Sequence, residues 1–394
     1  MKKHNIVLFW FMNDWGLYGR TYEMIASHLP LIPDVGRVLC ILPPRMIWNG
    51  CYILPFHLKV ESSKLLLLTP NFRMIPKSLI PGSWWSYINE YLRDIIIKIS
   101  IRSLGFSIKN TILWLFPPHR YINRLIDHIP HRMLVTQIVD NQLHKTNESM
   151  QMKSFSDNQY NDLARRSQVV ITSSRQNFEH YSSVNTNCYN FENAIDEIFL
   201  NPASEMPFRN GGSRPRLGYL GWITQRTDLN LLAYLAKERP SYDIIIAGPH
   251  ENGINLVESG LAQLPNVHIE KAVPYRSVPG FLATLDICLI PHKDTPYSRS
   301  MNPLKIFQYL ASGRPIVSTP IAGVERWEGI ISIAGNYAEY LGKIDSAIRN
   351  DGLRDASKRI EAVRLDTWGI RIQQIFDVLS KHLQETECGI RQTN

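Results

Sequence analysis

Two stretches of this chain follow the same pattern, in which an apolar strand leads through a glycine-containing loop into a helix. The first consists of a strand at Ile6–Phe11 and a helix at Tyr22–Leu29. The second consists of a strand at Arg216–Leu220 and a helix at Leu229–Ala236. This order is the opening of a doubly wound α/β unit, in which helices cover a parallel sheet. Two such openings predict two Rossmann-like domains.

A change of composition separates the two halves. Asn, Pro, Ser and Gly accumulate over residues 201–215 and predict a linker between a first domain, residues 1–200, and a second, residues 216–366. Residues 367–394 are expected to form a helix that packs back on the first domain. Further strands are predicted at Met133–Val139, Val169–Thr172, Asp243–Ala247, Val267–Ile269 and Ile287–Ile290, and a helix at Val278–Thr284.

The composition excludes several classes of protein. Of 394 residues, 44% are hydrophobic and 20% are charged, which is typical of a globular chain. The 5 cysteines form no CxxC pair and lie near no histidine cluster, which argues against zinc and favours reduced thiols in the cytosol. No apolar run reaches the ~18 residues of a membrane span, and no signal-peptide cleavage site follows the first strand. The sequence therefore predicts a cytoplasmic protein without metal or cofactor.

Positive charge is concentrated in one segment. The chain carries a formal charge of +8, and Lys59–Arg132 contains eleven basic residues against four acidic ones. Aromatic and aliphatic clusters such as Trp84-Trp85 and Ile95–Ile97 lie among them. This mixture suits peripheral contact with an anionic membrane, and buried helices with solvated basic faces are the other interpretation. Since no recognition module is visible, nucleic acid is not an expected partner.

A short helix is predicted after residue 302. Asn302 suits the N-cap, Pro303 the first helical position and Gly313 the C-terminal cap. Lys305 then lies in the first turn, where the helix dipole disfavours a cation unless an anion binds there. A solvated surface lysine behind an ordinary cap is the alternative.

Residues 302–319 (NPLKIFQYLASGRPIVST) resemble the donor-binding motif of group 1 glycosyltransferases of the GT-B fold, an α/β fold with two Rossmann-like domains facing a central cleft. The resemblance includes Leu217–Ile223, Ile246–Pro249 and Asp286–Pro291, and it is greatest to bacterial transferases that build exopolysaccharide or cell-wall glycans. It implies transfer of a sugar from a nucleoside diphosphate-sugar, with UDP as the first choice, to a glycan or a polyprenyl-diphosphate-linked acceptor.

The resemblance also implies roles for single residues. A lysine at position 305 meets the diphosphate, and a glutamate at position 308 holds the ribose hydroxyls. This chain has Gln308, whose amide binds a hydroxyl without charge assistance, and Ser300 stands where the family's first motif acid belongs. These departures argue against the retaining, paired-glutamate subgroup and favour an inverting relative.

The loop after Arg216–Leu220 supplies further donor-site candidates. Gly221, Thr224 and Arg226 are placed to meet phosphate oxygens, and a plain βα loop is the alternative. His250 is a candidate for contact with the base or the phosphates, or else a solvent-facing histidine.

The first domain is expected to supply the general base. Asp140 follows a predicted strand, and related exopolysaccharide enzymes have an aspartate at this point, although an N-cap would also explain it. Asp14, Gly16 and Arg20 of the first glycine loop are candidates for binding acceptor or phosphate, and Arg20 is otherwise a surface charge.

Three other functions compete with glycosyl transfer. A nucleotide-sugar epimerase would share the fold but need additional catalytic acids. An NAD-dependent enzyme would need GxGxxG after a strand, which neither loop contains. A non-catalytic member that binds nucleotide or glycan is the third, because both motif glutamates are absent.

Overall fold

The computed structural model describes residues 3–9, 15–43, 45–46, 56–72, 84–119, 122–127, 129–139, 149–200, 214–251, 254, 256, 260–350 and 352–392. The chain divides into two compact units: unit 1 is residues 1–191 with 372–394, and unit 2 is residues 192–371. The division at Phe191/Glu192 precedes the predicted linker, of which residues 201–213 lie outside the described residues.

Unit 1 is built on a sheet of nine strands among its described residues, in the order β3-β5-β2-β1-β6-β7-β8-β9. Pairing along this order is parallel, and β4 adds to β5 in antiparallel orientation. The strands are β1 His4–Phe9, β2 Val35–Ile41, β3 Arg45–Met46, β4 Phe56–Val60, β5 Leu65–Phe72, β6 Thr111–Leu115, β7 Met133–Ile138, β8 Val169–Thr172 and β9 Cys188–Asn190. The helices are α1 Thr21–His28, α2 Trp84–Ser103, α3 Ile122–Ile126, α4 Met150–Arg166 and α5 Arg175–Tyr181.

The central strands of unit 1 are buried along their whole length, since β6, β7 and β8 expose none of their residues. Such continuous apolar strands are characteristic of a parallel sheet that is covered on both faces. The C-terminal helix contributes to this unit, because the Arg132 guanidinium donates to the Leu383 carbonyl at 3.0 Å and Tyr189 Oη lies 2.9 Å from His382 Nε2.

Unit 2 has a six-stranded parallel sheet among its described residues, in the order β12-β11-β10-β13-β14-β15. The strands are β10 Arg216–Leu220, β11 Asp243–Ala247, β12 Val267–Glu270, β13 Ile287–Ile290, β14 Ile316–Ser318 and β15 Ser332–Ile333. The helices are α6 Leu229–Glu238, α7 Val278–Ala283, α8 Pro296–Arg299, α9 Leu304–Ala311, α10 Tyr337–Asn350 and α11 Leu353–Val363, followed by α12 Trp368–Gln392, which belongs to unit 1 from Ile372 onward.

The strand order of unit 2 is that of the doubly wound nucleotide-binding fold, and β5-β2-β1-β6-β7-β8 of unit 1 repeats it. The predicted α/β class with two Rossmann-like domains is therefore confirmed. No helix among the described residues is long and apolar enough to cross a bilayer.

Candidate functional site

The strand order of unit 2 reverses between β10 and β13, and crevices form at the carboxyl ends of strands at such a point. The loops after β10 and β11 begin at Gly221 and Gly248, whose φ angles are 141° and 143°. A Cβ at Gly248 would lie 2.2 Å from the Gly221 carbonyl oxygen. Because the two backbones touch, only glycine fits at position 248.

Helix α9 brings Lys305 to this point. Its Nζ lies 3.8 Å from the centre of the Tyr219 ring and 3.4 Å from His292 Nε2, and a Cβ at Gly221 would lie 2.9 Å from it. Burial lowers the pKa of Lys305; the charge of Arg226 lowers it further, while Tyr219 opposes this. No carboxylate among the described residues pairs with Lys305. The ammonium group is thus held beside a ring and an imidazole, and the described part of the chain offers it no negative partner.

His292 lies two residues beyond β13 and is buried. Its backbone N–H donates to Thr319 Oγ1 at 3.1 Å, and the same hydroxyl donates back to the His292 carbonyl at 2.5 Å. Burial, and then the charges of Lys305 and Arg226, hold the pKa of His292 well below its usual value. The imidazole is therefore neutral at pH 7, and its Nε2 faces the Lys305 ammonium as an acceptor.

Tyr219 joins the loop to this cluster. Its hydroxyl donates to the Trp222 carbonyl at 3.1 Å and lies 3.3 Å from Thr227 Oγ1. Burial alone would raise the pKa of Tyr219, but the charges of Lys305 and Arg226 outweigh it and the pKa is lowered. The shift reflects the positive potential at this point.

Arg226 is the second cation of the cluster. Its Nη1 lies 2.7 Å from the Met301 sulfur, which is a weak acceptor, and its Nε is buried without a hydrogen-bond partner among the described residues. Thr224 Oγ1 is also buried without a hydrogen-bond partner among the described residues. Since buried donors without partners are costly, these groups indicate a site completed by a ligand. Two cations beside the N-terminus of α9 fit an anion such as a diphosphate.

Comparison with known proteins assigns this unit to a family. The sequence model described as glycosyl transferases group 1 matches residues 214–350, which include the whole cluster. Unit 2 is a group 1 glycosyltransferase domain. Over 140 residues the chain is 26% identical to a putative teichuronic acid biosynthesis glycosyltransferase, TuaH, of Bacillus subtilis. That match covers 35% of this chain and 35% of the length of TuaH.

Solved structures share the fold over nearly the whole chain. Sucrose-phosphate synthase from Thermosynechococcus elongatus is 11% identical with a TM-score of 0.71, over 96% of this chain and 99% of its own. Anabaena HepE, in complex with UDP and glucose, is 13% identical with a TM-score of 0.63 and the same coverage. The Escherichia coli trehalose-6-phosphate protein bound with UDP-2-fluoro glucose is 10% identical with a TM-score of 0.69, again over 96% and 99%. The predicted GT-B fold is confirmed, and so is the predicted resemblance of residues 214–350 to group 1 glycosyltransferases.

The start of α9 in the glycosyltransferase domain differs from the prediction. The helix begins at Leu304 with Pro303 at the N-cap, so the expected capping role of Asn302 is wrong. Asn302 is buried and bonds instead to Asn193: its Oδ1 accepts from the Asn193 N–H at 2.9 Å, and its carbonyl accepts from Asn193 Nδ2. A tertiary partner has displaced the local cap. The predicted C-terminal end is confirmed, since Gly313 follows the helix with a φ of 69°.

The two positions where the family has motif acids differ in their surroundings. Gln308 lies one turn beyond Lys305 on α9, nearly buried, and its amide bonds to no described residue. Ser300 is fully buried at the end of α8, where its hydroxyl donates to the Tyr297 carbonyl at 2.9 Å. Ser300 is therefore engaged with the backbone, whereas the amide of Gln308 has hydrogen bonds to offer a ligand.

His250 is exposed, and its backbone forms an isolated bridge with Ile223. The structure thus brings Gly221, Arg226 and Lys305 together, while the His250 side chain remains in solvent.

In unit 1, Asp14 and Asp140 lie outside the described residues. Gly16 has a φ of 86° and nothing near its missing Cβ, and Arg20 precedes α1 with its guanidinium 5.4 Å from the Tyr18 ring centre. A buried acidic residue near this loop, Glu23, is not predicted from the sequence. It is buried, it accepts from Tyr22 Oη at 3.1 Å, and the backbone N–H groups of the loop also bond to it.

Sequence reasoning also missed Tyr219, His292 and Asn193. The signal for His292 was present, because a histidine two residues after an apolar strand lies at the edge where such folds bind ligands. Tyr219 lies inside a strand, and no sequence signal separates it from an ordinary core tyrosine.

Proposed function

We propose that this protein transfers a sugar from a nucleoside diphosphate-sugar to a glycan or polyprenyl-diphosphate-linked acceptor, with the diphosphate bound at Lys305 and Arg226. One observation carries the proposal: these two cations converge at the carboxyl ends of the unit 2 strands without a carboxylate among the described residues. A bound diphosphate supplies the missing negative charge.

The cations also suit the chemistry of the leaving group. As the bond between the anomeric carbon and the diphosphate oxygen breaks, negative charge grows on the diphosphate. Preorganised donors aimed at that charge lower the barrier, and removal of one such donor typically costs about 10²–10³ in rate. Lys305 is preorganised by Tyr219 and His292.

The acceptor hydroxyl must lose its proton as it attacks the anomeric carbon. Asp140 is the second residue after the end of β7 in the sequence, and we propose it for this role. Gln308 binds the ribose hydroxyls through its amide, and Gly221 and Thr224 line the phosphates. We place His250 near the base, and Asp14, Gly16 and Arg20 on the acceptor side.

Support for the substrates comes from relatives. Two structures of the same fold contain UDP or a UDP-sugar, so UDP is the first nucleotide to test. The TuaH relative is named for teichuronic acid biosynthesis, which supports a cell-wall glycan as acceptor. A lipid-linked acceptor implies peripheral contact with a membrane.

The experiment combines nucleotide binding with transfer. Full-length protein is titrated with UDP by calorimetry and incubated with radiolabelled UDP-sugars and bacterial membranes. We expect Lys305→Met to weaken UDP binding by about 10-fold or more, as for other hydrogen bonds to charged groups. The matched control is Lys237→Met, at an exposed lysine of α6, and should bind normally. Asp140→Asn should bind UDP normally but transfer about 10²-fold more slowly or worse.

The missing motif acids favour a second candidate, a member that binds nucleotide without turnover. Normal UDP binding with no transfer from any donor would support it over the enzyme. Failure of the wild-type protein to bind any nucleoside diphosphate would contradict both.

A further inference from the structure

Helix α2 of unit 1 presents an apolar face to solvent. Trp84, Tyr91 and Ile99 recur at helical spacing, and their exposed fractions are 64%, 51% and 59%. The opposite face carries Ile97 and Ile101, which are fully buried in the core of the unit. The inner face anchors the helix in the core, whereas the outer apolar side chains are more than half exposed.

Unneutralised positive charge lies beside this face. Lys98 and Arg102 of α2 line a pocket of about 450 Å³ together with Ile108, which is 59% exposed. Arg166 also lines the pocket, but it is paired with Asp127 at 2.7 Å. Lys98 and Arg102 have no acidic partner among the described residues. The pocket therefore keeps an excess of positive charge next to exposed apolar side chains.

This surface is separate from the edge of the sheet that bears the proposed chemistry. The pocket is also lined by His131 and Gln168, which precede β7 and β8, so it lies at the amino ends of these strands. Ligands of doubly wound sheets bind at the carboxyl ends. The pocket and the outer face of α2 are thus available for a second partner.

We propose that the outer face of α2 docks on an anionic phospholipid bilayer. Trp84, Tyr91 and Ile99 enter the headgroup region, while Lys98 and Arg102 contact lipid phosphates. Exposed aromatic and aliphatic side chains beside cations are the features of a helix that lies in a membrane interface. Residues 59–132 carry eleven basic against four acidic residues, and this excess complements an extended anionic surface. The proposed function explains why the protein would bind a membrane, since its acceptor would be lipid-linked. The binding surface itself is inferred from α2 and the pocket alone.

The test is co-flotation of the full chain with vesicles of phosphatidylcholine alone and of phosphatidylcholine containing about one third phosphatidylglycerol. We expect binding to the anionic vesicles only, weakening as salt is raised. Lys98→Gln with Arg102→Gln should reduce the partition coefficient about 10-fold or more, because each cation near an anionic surface contributes appreciably. Tyr91→Ser with Ile99→Ser should reduce it similarly through lost apolar insertion.

Matched controls lie on unit 2. Lys237→Gln with Lys271→Gln removes two exposed cations, and Leu353→Ser with Leu365→Ser removes two exposed aliphatic residues. Both controls should bind vesicles like the wild type, and every variant should keep the wild-type melting temperature and UDP affinity. Equal flotation with neutral and anionic vesicles, or equal losses in the α2 variants and the controls, would overturn the proposal. The UDP titration tests the proposed function separately. A failure of vesicle binding would therefore not affect the test of nucleotide binding, and the reverse also holds.

Discussion

The Lys305 ammonium lies over the Tyr219 ring, with Nζ 3.8 Å from the ring centre. Tyr219 belongs to β10 and Lys305 to α9, so this contact joins a central strand of the unit 2 sheet to helix α9. A cation over an aromatic face contributes about 0.5–2 kcal/mol, more when the pair is removed from water. The contact holds the side chain extended toward Gly221.

The first prediction concerns this ring. Tyr219→Leu should weaken UDP binding about 3- to 30-fold, because the cation loses the aromatic face that positions it. Tyr219→Phe keeps the ring and loses only the hydroxyl contacts, so it should bind UDP nearly as well as the wild type. Calorimetric titration decides the matter, and equal losses in the two variants would show that the hydroxyl, not the ring, positions Lys305.

Gly221→Ala should reduce both UDP affinity and stability. The new Cβ would lie 2.9 Å from Lys305 Nζ, and the φ of 141° is unfavourable for any side chain. Gly260→Ala is the control, because Gly260 also has a positive φ but nothing within 4 Å of its missing Cβ. We expect both variants to melt at lower temperature and only Gly221→Ala to lose affinity. An unchanged UDP affinity in Gly221→Ala would indicate that Lys305 does not belong to the UDP-binding site.

The buried imidazole of His292 predicts a stability that depends on pH. Its pKa is held well below the usual value of about 6.5, so below pH 6.5 the unfolded chain takes up a proton that the folded chain does not. The free energy of unfolding therefore falls as the pH is lowered through this range. Urea unfolding at pH 6.5 and 5.5 should show a decrease about 1 kcal/mol larger in the wild type than in His292→Gln. The same decrease in both proteins would mean that His292 titrates normally.

The pair Asn193 and Asn302 should act as a unit. Each residue replaced by Ala should destabilise unit 2 by about 1–3 kcal/mol, because the other is left with unsatisfied buried groups. In a double-mutant cycle the two losses should overlap by about 1 kcal/mol or more. If the two losses of unfolding free energy were strictly additive, Asn302 would act independently of Asn193, for example in helix capping.

Gln308→Glu should bind UDP more tightly. A carboxylate accepts hydrogen bonds from hydroxyls with charge assistance, and such bonds are roughly twice as strong as neutral ones, so we expect a gain of about 3- to 10-fold. Ser300→Glu is the contrasting variant: it places a charge in a fully buried site and should lower the melting temperature. Weaker UDP binding by Gln308→Glu would indicate that the ribose lies elsewhere.

Much of the fold was predictable because its central strands are short apolar runs that end at glycine, proline or a polar pair. The bounds predicted for β8, β10, β11 and β13 coincide with the observed ones. Such strands can be predicted from the local sequence, since a short segment that is apolar throughout is typical of the middle of a sheet covered on both faces. The GT-B assignment followed from a motif that is continuous in sequence.

The sequence by itself determined the α/β alternation, the helix that carries Lys305 and the turn at Gly313, because propensity, periodicity and backbone sterics act between near neighbours. Only the tertiary structure decided what Lys305 touches. Tyr219 and His292 meet it because the sheet places β10 beside β13, and Asn302 leaves its cap position because Asn193, distant in the chain, offers a better set of hydrogen bonds. These contacts depend on strand order and packing, which no local pattern encodes.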